Sequence, residues 1–108
     1  MLENITSVQQ FHALIGSTNV VLVDFYADWC EPCKWLDKIL DQVVLEMPEK
    51  CVIAKVNVEI LVTLGDDFGV KSVPVLLLFR NGFEVWRMNG FMMAADLLEK
   101  LELFSRET

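Results

Sequence analysis

Proline, glycine and histidine are scarce in this chain, at three, five and one among 108 residues. So few glycines exclude a collagen-type repeat, which takes one residue in three. No Pro/Gly/Ser-rich stretch divides the chain, so residues 1–108 are expected to form a single domain. Three cysteines fall far short of a secreted disulfide scaffold. Long apolar runs are missing as well. The longest, Val73 to Phe79, contains Pro74 and is well under the roughly 18 residues that cross a bilayer. Positive charge is in deficit: nine Lys and Arg against sixteen Asp and Glu leave a net charge of −7. That argues against the basic patch of a nucleic-acid binder. The N-terminus, Met1-Leu2-Glu3-Asn4-Ile5-Thr6, has neither the basic nor the apolar region of an export signal. A cytoplasmic, non-membrane protein is therefore the expectation.

What is abundant is apolar side chain, 54% of the residues against 23% charged. A domain of this size buries about two thirds of the surface its unfolded chain exposes, so it needs no staple to fold. Ser7 with Gln10 three residues on is a capping-box pattern opening a helix with Val8, Phe11, Leu14 and Ile15 on one face and Gly16 at its end. Val20 to Tyr26 is a nearly continuous apolar run broken by Asp24, the pattern of a strand covered on both faces. Pro32 stands where a first-turn proline belongs, and Trp35, Leu36, Ile39, Leu40, Val43 and Val44 follow at helical spacing up to Pro48. Cys51 to Val58 reads as a strand with Lys55 inside it, Ile60 to Phe68 as a short helix closing at Gly69, and Val75 to Phe79 as a strand. Asn81-Gly82 predicts a hairpin into Phe83 to Met88, and Ala94 to Phe104 an amphipathic helix. An extra strand is predicted over Asn4 to Thr6. The alternation implies an α/β fold, with a central mixed β-sheet flanked by helices on both faces.

Cys30 and Cys33 fall where a buried strand gives way to a helix. Unpaired backbone N–H groups and the positive end of the helix dipole stabilise a thiolate there. Residues three apart face the same side of a helix, so the two sulfurs can meet across one turn. Such a pair can attack a substrate disulfide through the outer Cys30 and then resolve the mixed disulfide through Cys33. The alternative, half of a structural zinc site, needs about four ligands, and only Cys51 and His12 remain, without partner spacing. Cys51 reads as a buried small hydrophobe, Trp35, Trp86 and Met92-Met93 as packing residues, and His12 and Asp66-Asp67 as surface. Asp24 in mid-strand is costly to bury ionised, so its carboxyl should titrate high, with Lys55 on the next strand as the partner that limits the shift.

The stretch Val23-Asp24-Phe25-Tyr26-Ala27-Asp28-Trp29-Cys30-Glu31-Pro32-Cys33-Lys34 closely resembles the active-site segment of the thioredoxin family. The resemblance continues through Lys55-Val56-Asn57-Val58, Gly69-Val70-Lys71-Ser72-Val73-Pro74, Leu76 to Gly82 and Gly90, covering about Ile5 to Phe104. It implies a protein-disulfide reductase in which Cys30 is the nucleophile and Cys33 the resolving thiol. Asp24 would be the buried carboxylate beneath Cys33, Lys55 its neighbour, and Pro74 a cis-proline facing the cysteines. Trp29, Glu31, Pro32, Val73, Pro74 and Gly90 would contact substrate. The resemblance further implies disulfide-containing protein substrates, no bound cofactor, electrons from NADPH through thioredoxin reductase, and a monomer. An oxidase or isomerase, or a non-catalytic binding module using the same groove, are the competing readings. The chain departs from the family pattern at four positions. Glu31-Pro32 replaces the usual Gly-Pro, and Val75 a usual threonine. Lys38 stands where relatives have a helix-kinking proline, and Asn89 where a small apolar residue is common.

Overall fold

The computed structural model describes residues 1–17 and 19–106. Five strands and four helices follow one another as β1 (Leu2–Asn4), α1 (Val8–Ile15), β2 (Val20–Tyr26), α2 (Glu31–Glu46), β3 (Cys51–Asn57), α3 (Val62–Asp67), β4 (Val75–Arg80), β5 (Phe83–Asn89) and α4 (Ala94–Arg106). The sheet order is β1-β3-β2-β4-β5. β1, β3 and β2 run parallel, while β4 lies antiparallel to β2 and β5 to β4. The expected mixed sheet between helical layers is what the chain forms.

Strand periodicity explains the two layers. Val21, Val23 and Phe25 of β2 join Phe11 and Ile15 of α1 and Leu64 of α3 on one face. Val20 and Leu22 join Leu36, Leu40 and Val43 of α2 and Leu97 and Leu101 of α4 on the other. Asp24 belongs by alternation to this second face and is fully buried. The parallel register sets Asp24 beside Lys55 of β3, and partners in register point to the same side. The buried central strand therefore delivers a carboxyl, and its neighbour an ammonium, beneath α2.

Local chemistry sets the boundaries. Ser7 accepts a hydrogen bond from Gln10 N at 3.0 Å, and Gln10 Oε1 accepts from Thr6 N at 2.7 Å, so the predicted cap forms. This diverts Thr6 and Ser7 from the sheet, which is why β1 ends at Asn4 instead of occupying Asn4 to Thr6; only Ile5 N continues the ladder, to Lys55 O. α3 is likewise shorter than the predicted Ile60 to Phe68. The Asn57 carbonyl accepts from both Ile60 N and Leu61 N, holding these residues in a turn, and Ile60 stays exposed. Asn81 and Gly82 both have positive φ, 54° and 82°, which makes the hairpin turn the type that suits strand twist.

Candidate active site

Tyr26 ends β2, and Ala27 to Cys30 carry the chain into α2. Cys30 is the N-cap of α2, and its sulfur accepts the backbone N–H of Cys33 at 3.2 Å. Pro32 lies in the first turn, where its missing N–H costs nothing. Cys30 and Cys33 are disulfide-bonded with their Cα atoms 5.2 Å apart, so the chain is described in its oxidised state. The two residues are equally buried, at 2% exposure each, under Ala27, Tyr26, Val58 and Val73. The outer position expected of Cys30 is not reflected in burial, which does not distinguish the two. Their surroundings do: Cys30 Sγ lies 3.7 Å from the carbonyl oxygen of Val73.

The Val73–Pro74 peptide bond is cis, the conformation the family resemblance implies. Gly90, at φ +100°, donates its N–H to the Pro74 carbonyl at 2.8 Å, tying the end of β5 to this loop. Beside the disulfide a groove of about 140 Å³ is lined by Trp29, Val58, Val70, Lys71, Ser72 and Val73. Trp29 and Val73 were anticipated there, while Pro32 and Gly90 lie outside its lining. Val70, Lys71 and Ser72 escaped notice because the loop after α3 has no periodicity to flag it. The Trp29 ring is 68% exposed, and its Nε1 donates to Glu59 Oε2 at 3.0 Å. Glu59 also went unnoticed: it follows β3 as an ordinary surface carboxylate, thirty residues from its partner.

Burial pushes the Asp24 carboxyl up from 3.8 to about 7; Lys55 pulls the other way, and Asp37 adds to the rise. Both carboxyl oxygens lack any hydrogen-bond partner among the described residues. The expected pairing of Lys55 with Asp24 is therefore not a hydrogen bond. Lys55 Nζ instead donates to Asp37 Oδ1 of α2 and lies 4.6 Å from the centre of the Tyr26 ring. Asp37 stands one turn beyond Cys33, and nothing in its sequence context separates it from a solvated helix residue. Glu31 is exposed and 3.6 Å from Lys34. Cys51 is free and buried, with its sulfur 3.1 Å from Ser105 Oγ. Trp35 is half exposed and packs edge-on against Phe91, whereas Met93 is exposed and so is not the core residue expected of it. Among the described residues no group of three or more His, Cys, Asp or Glu is placed to hold a metal ion. No helix among them is long and apolar enough to cross a membrane.

A disulfide capping a helix and bordering a groove can exchange its bond with thiols of another molecule. By fold and site the chain is a thiol–disulfide oxidoreductase. Residues 3–103 match the family model described as Thioredoxin. Thioredoxin from Chlamydia caviae is 38% identical over 101 residues, covering 94% of this chain and 97% of its own. Thioredoxin from Rickettsia typhi is 32% identical over 99 residues, covering 92% and 94%. Among solved structures, a mutant thioredoxin from Halobacterium salinarum superposes with a TM-score of 0.90 at 27% identity, covering 99% of this chain and 93% of its own. The chain belongs to the thioredoxin family, and its substrates are proteins containing disulfides.

Proposed function

We propose that the chain works as a reductant. The Cys30 thiolate attacks one sulfur of a substrate disulfide, forming a mixed disulfide while the other substrate sulfur leaves as a thiolate and takes up a proton. Asp24 carboxylate then accepts the proton of Cys33, and the Cys33 thiolate attacks Cys30 Sγ. The Cys30–substrate bond breaks, the second substrate sulfur leaves with the electron pair and is protonated, and the intramolecular disulfide remains. Two electrons pass to the substrate, whose two thiolates take up two protons, the one that Cys33 gave to Asp24 and one from solvent. The observation that carries this reading is the position of Cys30 Sγ, at the cap of α2 and 3.7 Å from the Val73 carbonyl that borders the groove.

The reduced pair is regenerated by thioredoxin reductase with electrons from NADPH, so no cofactor resides in this chain. The cycle is one of electron transport and redox homeostasis in the cytoplasm, and the protein acts as a monomer. Trp29, Glu31, Pro32, Val73, Pro74 and Gly90 present the substrate surface, and an extended substrate segment pairs with the backbone before Pro74, whose own nitrogen has no hydrogen to compete.

Insulin reduction under dithiothreitol tests the reading, with wild type set against Cys33→Ser. Wild type should accelerate precipitation of the reduced B chain, and the variant should instead accumulate a Cys30-linked mixed disulfide. An inactive wild type would point to a binding module and overturn the proposal. Coupling to NADPH consumption through an added thioredoxin reductase tests the electron source separately.

A further inference from the structure

Two carboxyl groups, Asp24 under α2 and Asp37 on it, compete for the Lys55 ammonium. Asp24 of β2 and Lys55 of β3 are register partners in a parallel pair, the placement in which a buried carboxylate and a lysine would normally meet. Here the lysine has turned away. Its Nζ is held by Asp37 Oδ1 and sits over the ring of Tyr26, two residues beyond Asp24 on the same strand. Lys55 is largely buried, with 13% of its side chain exposed, whereas Asp37 is 44% exposed at the rim. The Asp24 oxygens are left without hydrogen-bond partners in the interior. A buried polar group in that condition costs free energy that a neighbouring cation would relieve. What keeps the cation from relieving it is a second carboxylate, better hydrated and bonded directly to the ammonium.

We propose that Asp37 is a positioning residue for the redox reaction: by anchoring the Lys55 ammonium at the rim of α2 it keeps Asp24 unpaired, and so available to exchange a proton with Cys33. This rests on the reductase reading given above, in which that exchange occurs. The charged groups acting on Asp24 are Lys55 from β3 and Asp37 from α2. β4 sets the apolar Leu76 beside it, and α4 brings Leu97 and Leu101 to this face. Cys33, at the head of α2, becomes titratable once the disulfide is reduced. Both effects of Asp37 act in one direction: its own negative charge disfavours a second carboxylate, and its grip on Lys55 weakens the cation that would favour one.

The test is a carboxyl-carbon NMR titration of Asp24 in the oxidised protein, which has no need of substrate or reductase. It compares wild type, Asp37→Asn, Asp37→Glu, Lys55→Met and the Asp37→Asn/Lys55→Met double variant. Asp37→Asn should release Lys55 towards Asp24 and lower the proton affinity of that carboxyl about tenfold, the effect of a cation moving into contact range. Asp37→Glu should restore wild-type behaviour. In the Lys55→Met background, Asp37→Asn should lower it by clearly less, since only the loss of Asp37's own charge remains and there is no ammonium left to release. An unchanged Asp24 titration in Asp37→Asn overturns the proposal. So does an equal fall with and without Lys55, which would make Asp37 a through-space charge and not an anchor. The pH profile of mixed-disulfide resolution should move to lower pH in Asp37→Asn in step with the titration. A failed insulin assay of wild type would refute the reductase reading while leaving the titration result standing.

Discussion

Lys55 is paired in register with Asp24 across two parallel strands, and yet its ammonium is bonded to Asp37 on the helix above. Backbone proximity and side-chain pairing have separated at the most consequential charge in the fold. The cause is hydration. A pair at the rim keeps part of its water, whereas a pair between Asp24 and Lys55 would have to be formed in the interior, where desolvation of both ions opposes it. Asp24 is therefore left without a hydrogen-bond partner among the described residues, and burial, opposed by Lys55 and aided by Asp37, pushes its carboxyl up to about 7.

That arrangement makes stability depend on pH with a definite sign. Between 3.8 and about 7 the folded chain holds a proton on Asp24 that the unfolded chain has already given up. Its contribution to stability is full below that window and is lost as pH rises through it. Asp24→Asn removes the charge and keeps the shape. At pH 8 the variant should be more stable than wild type by about 1–3 kcal/mol, with the remaining cost being an amide in a site without partners. At pH 4 the two should be nearly equal. Urea unfolding midpoints at the two pH values check this, and an equal gain at both would show that charge is not the cause. Insulin reduction should fall in the same variant, since the proton acceptor has gone.

The parts of this molecule legible in its sequence were those set by short-range chemistry. The Ser7 cap, the Asn81-Gly82 turn, the buried β2 run and the Cys30–Cys33 junction each depend on residues within a few positions of one another. The parts that were not legible depend on distance. Asp37 meets Lys55 across eighteen residues and Trp29 meets Glu59 across thirty. In each case the acidic residue looks locally like any solvated carboxylate. The edge strand slipped by two residues for a related reason: the same Thr6-Ser7 segment can continue a strand or cap a helix, and the cap won.

Gly90 and Gly65 offer a controlled contrast. An added Cβ at Gly90 would meet nothing within 4 Å, but the residue has φ +100°. Gly90→Ala should thus cost about 1–2 kcal/mol through backbone strain alone, and should loosen the hydrogen bond to Pro74 that fixes the loop beside the disulfide. Gly65, inside α3, has no such φ, and its Cβ would lie 3.4 Å from Val58 Cγ1, in ordinary contact. Gly65→Ala should be neutral or stabilising by up to about 1 kcal/mol. Thermal unfolding of the two variants, with insulin reduction in parallel, checks both; loss of stability at Gly65 comparable to that at Gly90 would refute the backbone argument.

Trp29 is exposed, and its indole is held by Glu59. An exposed ring with one hydrogen bond is ordered mainly by that bond, worth about 0.5–1.5 kcal/mol when the acceptor is charged and the site open to water. Glu59→Ala should free the ring and reduce kcat/KM for a protein disulfide by about 2- to 10-fold, with kcat little changed if the ring serves to receive substrate. Glu59→Gln, which keeps an acceptor oxygen, should recover most of the loss. Indole fluorescence anisotropy gives an independent reading of ring mobility, and unaltered anisotropy in Glu59→Ala would remove Glu59 from the account.

Glu31 separates the two cysteines where the family usually has glycine. Its carboxylate is exposed and 3.6 Å from Lys34, so its influence on the neighbouring sulfur is partly neutralised and largely screened by water. What survives opposes the helix dipole at Cys30, disfavours the thiolate, and so favours the disulfide and a more reducing couple. Glu31→Gly should lower the apparent pKa of the Cys30 thiol and raise the reduction potential against glutathione by about 5–15 mV, the electrochemical equivalent of a few tenths of a kcal/mol. Added salt should shrink the difference, because both charges face solvent. Lys34→Gln should act oppositely, deepening the reducing character by removing the counter-charge. Identical potentials for wild type and Glu31→Gly at low salt would mean that Lys34 and water already cancel the carboxylate, leaving Glu31 to act on partner choice alone.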